Sequence, residues 1–164
     1  MDTDYTQVAL EAALQRHRSR PGALLPILHD VQDALGHIPP ATVGRIAQAL
    51  NLSRAEVHGV ITFYHHFRSH PAGRHVVRIC QAEACQSMGA ADLTAHAQQA
   101  LGCKLHETTA DGVFTLEPTY CLGLCAMSPS ASVDDEVHAR LTPAKFDRLI
   151  AATRRTDVAE QEAP

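Results

Sequence analysis

Pro71-Ala72-Gly73-Arg74-His75-Val76-Val77-Arg78-Ile79-Cys80 is the stretch on which the fold turns. Pro71 and Gly73 mark a boundary, and the residues from His75 are rich in β-branched side chains that suit a pleated strand. Upstream of it the apolar residues recur at helical spacing. Downstream the period shortens to strands joined by turns. The expected organisation is α+β: an N-terminal helical bundle over 1–72, an α/β domain over 73–152, and a flexible polar tail over 153–164. No internal repeat or low-complexity segment interrupts it.

Four helices are expected upstream. Residues 6–18 carry Val8, Leu10, Ala13 and Leu14 on one stripe. Pro21 suits a first helical turn and Gly36 a stop, with Leu24, Leu25, Ile27, Leu28, Val31 and Leu35 between them. Pro26 lies close enough to that start to be tolerated. Pro39 and Pro40 open a third helix that ends at Asn51. Ser53-Arg54-Ala55-Glu56 is a capping box that starts a fourth, running toward Phe67. Downstream, residues 89–101 read as a helix stopped by Gly102. Lys104–Thr108 and Val113–Leu116 pair across Asp111-Gly112, a hairpin-turn dipeptide. Ala131–Val133 and Glu136–Ala139 flank Asp134-Asp135 as a second hairpin. Thr142 and Pro143 open a last helix to Ala152.

The 164 residues are 45% hydrophobic and 20% charged, with a formal net charge of −4. That balance leaves no basic footprint for nucleic acid. No apolar run approaches the ~20 residues of a membrane-spanning helix, so direct membrane insertion is not expected. The acidic, amphipathic start resembles neither a secretory signal nor a basic transit peptide, and a cytoplasmic location is the expectation. Five cysteines in such a chain point to metal or redox chemistry rather than to a disulfide framework.

The cysteines run Cys80-x4-Cys85, 35 intervening residues, then Cys121-x3-Cys125. Both pairs fall where loops are expected, and loops let thiolates converge from several directions. Gly123 lets the backbone turn tightly beside sulfur, where its N–H groups stabilise an anionic centre. Four thiolates suit either zinc or an iron–sulfur cluster, and the spacing admits both. Without a C-x-x-C, a redox disulfide on a thiol oxidoreductase is a third, weaker reading. Cys103, after Gly102 at a helix end, reads as a buried small hydrophobe.

Further motifs narrow the choice. Leu35-Gly36-His37-Ile38-Pro39, Val57-His58-Gly59-Val60 and Thr62-Phe63-Tyr64 occupy the first half. Gly89-Ala90, Gly112-Val113-Phe114-Thr115-Leu116-Glu117, Cys121-Leu122-Gly123-Leu124-Cys125 and Arg140-Leu141-Thr142-Pro143 occupy the second. In this order they resemble the thioredoxin-like [2Fe–2S] ferredoxins. That family includes the 24-kDa-type subunit of NADH:quinone oxidoreductase and matching subunits of NAD-linked hydrogenases and formate dehydrogenases. The resemblance implies a thioredoxin-like α/β domain with one [2Fe–2S] cluster. Cys80 and Cys85 would bind one iron, and Cys121 and Cys125 the other. The wording Arg78 to Gly89 looks most like the gamma subunit of soluble NAD-dependent formate dehydrogenase. Glu83-Ala84 stands where many members carry glycine, a change that bears on hydrogen bonding near the cluster rather than on ligation. The resemblance further implies a flavoprotein partner with FMN and NAD. For the formate enzyme it implies a catalytic subunit with molybdenum or tungsten. The helical half is expected to dock on the flavoprotein.

Other signals read more plainly. The eleven histidines read as solvated or interface side chains; His65 and His66, if helical, point in different directions. Phe63, Tyr64 and Phe67 suit a helix or domain contact. Glu83 and Glu117 read as solvated, each able to hydrogen-bond a partner. No dinucleotide fingerprint, P-loop or nucleophile elbow is present, so no motif for NAD or flavin is recognisable and no catalytic residue is expected. The electron-transfer reading stands against a zinc-stabilised interaction module.

Overall fold

The computed structural model describes residues 3–162. The chain divides into two compact units, Met1–Ala72 and Gly73–Pro164.

The first unit is helical: α1 (Thr3–His17), α2 (Leu24–Leu35), α3 (Val43–Leu50) after a 3-10 turn at Pro40–Thr42, and α4 (Arg54–Phe63). The buried stripe of α1 is Leu10, Ala13, Leu14 and His17, at i, i+3, i+4 and i+7. Val8, expected on that stripe, is 61% exposed. His17 fits among apolar neighbours because both ring nitrogens are engaged, Nε2 with Asp30 at 2.9 Å and Nδ1 with Arg20 at 3.3 Å.

Helix α2 begins at Leu24 rather than Pro21. Gly22 has φ +69°, which breaks any helix started upstream. The later start puts Pro26 in the third helical position, where no intrahelical partner awaits its missing N–H. Gly36, at φ +75°, closes the helix by donating its N–H to Gln32 O. Asn51 ends α3 in the left-handed region, and Leu52 N–H reaches back to Ala47 O at 2.9 Å. The capping box at Ser53 and Glu56 is formed in both directions. Helix α4 stops at Phe63, so His65 and His66 lie beyond it. The chain that follows is strapped down by buried Gln32, which donates to His66 O and accepts from Arg68 N–H, both at 2.8 Å.

The second unit is a five-stranded sheet of order β2-β3-β1-β4-β5, made of β1 (His75–Cys80), β2 (Glu107–Thr108), β3 (Phe114–Thr119), β4 (Ala131–Val133) and β5 (Glu136–His138). Its helices are α5 (Glu83–Ser87), α6 (Ala90–Leu101) and α7 (Pro143–Glu162). Both expected hairpins form, β2 with β3 and β4 with β5. Strands β1 and β3 pair in parallel from His75↔Phe114 to Cys80↔Thr119. Parallel pairing requires a crossover, here α5 and α6. Val77, Ile79, Phe114, Leu116, Ala131 and Val133 pack with Leu93, Ala97, Phe146 and Ile150 into one core.

Helix α7 runs on past Ala152 to Glu162, through residues expected to be a loose tail. No Gly or Pro falls between Pro143 and Glu162 to stop it. Arg154 fastens the extension to Asp111 of the β2–β3 turn at 2.7 Å, with its guanidinium 5.0 Å from the Phe114 ring centre. No helix among the described residues is long and apolar enough to cross a membrane.

Candidate metal centre

Because β1 and β3 are parallel, the segments leaving their C-terminal ends emerge at the same end of the sheet. Cys80 is the last residue of β1 and pairs with Thr119, the last of β3. Cys121 follows two residues later. Cys85 lies on α5, one short turn of helix where a plain loop was expected. Cys125 opens a 3-10 turn, Cys125–Met127.

The two segments meet through side chains. Cys80, Cys85 and Ala90 form a small buried cluster, with Ala82 and Leu122 packed against it. Leu122, between the second pair of cysteines, thus brings its loop onto the first pair. The ends differ in access. Cys80 and Cys85 are 1% and 2% exposed, while Cys121 and Cys125 face solvent.

All four are free thiols arranged as two pairs. Cys121 Sγ lies 3.7 Å from Cys125 Sγ. Two sulfurs on one tetrahedral metal at about 2.3 Å stand about 3.8 Å apart, so this pair already has ligand spacing. Cys80 and Cys85 share one buried cluster at the other end. Among the described residues no group of three or more His, Cys, Asp or Glu gathers around a single point. Two pairs of thiols suit a centre with two metals, each taking two sulfurs, and the donor set therefore fits a [2Fe–2S] cluster.

The backbone is bent to present these sulfurs. Cys121 has φ +97°, a region that a residue with a Cβ enters only at a conformational cost. Gly123, at φ +77°, turns its N–H toward Cys121 Sγ at 3.4 Å. This is the N–H-to-sulfur contact expected from the glycine.

Electrostatics couples the two ends. The Cys125 thiol is pushed up by its hydrogen bond to Cys121 and by that neighbour's charge, with smaller contributions from burial and from Cys85 and Cys80. Gathering four thiolates is unfavourable until a cationic centre joins them. At Cys85 burial pushes upward, but its polar contacts with Ser128, Ser130 and Cys80 outweigh it, leaving the thiol below its ordinary range.

Cys103 stands apart, buried in the main core of the second unit. Burial pushes its thiol up, helped by the charges of Glu107 and Asp111. Glu83 is exposed. Glu117 is not solvated as expected: its side chain, 13% exposed, meets Arg78 Nε at 3.3 Å across the β1–β3 register. Ser128 and Ser130 carry no mark in the sequence. Each places Oγ 3.5 Å from Cys85 Sγ, 43 and 45 residues away along the chain.

The sequence signature of the thioredoxin-like [2Fe-2S] ferredoxins matches residues 10–154. An NADH-quinone oxidoreductase subunit of Rhizobium meliloti (strain 1021) is 36% identical over 148 residues, 90% of this chain and 88% of that one. The corresponding NADH-quinone oxidoreductase subunit of Escherichia coli (strain K12) is 35% identical over 142 residues, 87% of this chain and 86% of that one. A crystal structure of an NAD+-reducing [NiFe]-hydrogenase in the air-oxidized state superposes with a TM-score of 0.66 at 26% identity, covering 92% of this chain. This chain spans only 25% of that hydrogenase chain. Two cysteine pairs at one end of the sheet, a signature across most of the length and relatives above one-third identity lead to one conclusion: the chain belongs to the thioredoxin-like [2Fe–2S] ferredoxin family.

Proposed function

We propose that the chain is an electron-transfer subunit holding one [2Fe–2S] cluster on Cys80, Cys85, Cys121 and Cys125, and that it exchanges single electrons with a flavoprotein subunit that binds FMN and NAD. The observation that carries this reading is the placement of two thiol pairs at and just beyond the C-terminal ends of parallel strands β1 and β3, with Leu122 of the second loop packed on the first pair. The cluster, when bound, supplies a one-electron couple. The chain's own residues do the rest. Cys80 and Cys85 hold the sheltered side away from water. Cys121 and Cys125 hold the side a partner can approach. Gly123 N–H offsets charge on Cys121.

Partner contact is assigned to the helical unit. Phe63 is 74% exposed, and Leu24, Leu52, Val60, Phe63 and Tyr64 line an apolar groove there of about 590 Å³. An exposed apolar surface of this kind supports a protein contact.

The finer reading is a soluble, cytoplasmic NAD-dependent formate dehydrogenase, whose catalytic subunit would bear molybdenum or tungsten. The wording of Gln81 to Gly89 supports it. The NADH-quinone oxidoreductase relatives support the alternative, a place in a respiratory NADH:quinone oxidoreductase, and the hydrogenase likeness supports an NAD-linked hydrogenase.

Anaerobic purification tests the first level. Two irons and two labile sulfides per chain, a red-brown colour and an S = 1/2 EPR signal on reduction are expected. Stoichiometric zinc without iron would overturn the reading in favour of a zinc-stabilised module. Isolation of the native complex tests the second. Formate-dependent NAD reduction from the cytosolic fraction, with FMN and molybdenum or tungsten present, is expected. Recovery only from membranes, with NADH–quinone activity and no formate activity, would favour the respiratory reading.

A further inference from the structure

Ser130 touches both cysteines of the buried pair. It lies immediately before β4, and its carbonyl accepts the Cys80 N–H at 3.0 Å. Its Oγ lies 3.5 Å from Cys85 Sγ. The residue is 1% exposed. Ser128 lies equally near Cys85 Sγ, but its hydroxyl hydrogen is given to Cys125 O at 2.8 Å. A thiol at Cys85 can donate to Ser128; a metal-bound thiolate has no hydrogen to donate. Ser130 is then the hydroxyl placed to donate to that thiolate.

We propose that Ser130 is a positioning residue that raises the reduction potential of the bound cluster, donating its hydroxyl hydrogen to Cys85 Sγ while its carbonyl fixes Cys80. The proposal rests on the ligation proposed above. Reduction adds one negative charge to the cluster and its thiolates, and a hydrogen bond donated to a thiolate favours the more negative state. Water does not provide this at Cys80 and Cys85, which are buried. In such low-dielectric surroundings one hydroxyl weighs more than it would beside the solvent-facing pair.

The test uses the full-length chain as wild type, Ser130→Ala, Ser130→Thr and Ser130→Val, purified anaerobically. Thr and Val have nearly the same shape and differ in the hydroxyl. Iron and labile sulfide are counted first, and dithionite titrations with mediators then follow the EPR signal. Wild type without iron overturns the ligation and this proposal with it. With clusters present, the Ala and Val variants are expected to favour the oxidised form about tenfold, a fall of about 59 mV for one electron. Thr is expected to match wild type. Equal potentials in all four proteins overturn the proposal while leaving the ligation standing, as does the same shift in Thr and Val. If Ala and Val lose the cluster, retention of cluster and potential in Thr supports the proposal, and loss in Thr as well overturns it.

Discussion

Asp111 shows how much one carboxylate can fasten. The Thr109 hydroxyl, Arg154 and the Val113 N–H together hold its carboxyl well below the usual carboxylate range. In the unfolded chain it titrates near 3.9. Stability linked to a lowered carboxylate pKa is therefore complete above about pH 4 and is lost as pH falls toward the folded value. Asp111→Asn is expected to melt at lower temperature than the parent at pH 7, with the gap narrowing below about pH 4. Far-UV circular dichroism melts of the metal-free chain check this. The cysteines divide in the same residue-by-residue way. Cys103→Ser is expected to keep the visible spectrum, at a stability cost of about 1–3 kcal/mol for a hydroxyl placed in an apolar core. Cys80→Ser or Cys125→Ser is expected to lose or badly perturb that spectrum. An unchanged spectrum in Cys80→Ser with loss in Cys103→Ser would reverse the ligand assignment.

At the scale of elements, the entry to β1 depends on close backbone approach. A Cβ on Gly73 would sit 3.0 Å from Gly112 O and from the carbonyl carbons of Val113 and Phe114. All three atoms belong to backbone, so no rotamer change relieves the contact. The same approach lets Gly73 N–H reach Thr115 Oγ1 at 2.6 Å and Arg74 N–H reach Gly112 O at 3.2 Å. Gly73→Ala is expected to push the strand entry off this turn, costing about 1–3 kcal/mol. A lowered melting temperature of the second unit measures it, and an unchanged one would mean the turn gives way freely. Most helix boundaries, by contrast, are local matters. Gly36, Asn51, Ser53 and Gly102 end or start helices where their local chemistry predicts. Helix α7 overran its expected end because a contact 43 residues distant, Arg154 to Asp111, holds the extension in place.

At the scale of the whole molecule, each unit has a core of its own. The candidate ligands all lie in the second. A chain beginning at Gly73 is therefore expected to fold and show the visible spectrum of the cluster, yet fail to join the flavoprotein. Absorbance of the truncated protein and co-purification with the partner read the two halves of this prediction separately. Normal recovery of the complex would place docking outside the helical unit.

The sequence by itself determined the division near Gly73, both hairpins, most helix caps, the strand ending at Cys80 and the two cysteine pairs as candidates. These are short-range matters. A turn dipeptide, a capping box or a β-branched run acts on its immediate neighbours, whatever the rest of the chain does. The tertiary structure alone decided which pair is buried, how Leu122 closes one loop on the other, that Glu117 pairs with Arg78, and that His17 and Gln32 belong in a core. It alone brought Ser130 to Cys85. Each of those depends on residues that the parallel register of β1 and β3, or the packing of separate helices, draws together from far along the chain. No local preference specifies such a meeting, because its free energy comes from burying surfaces that only the assembled fold brings into contact.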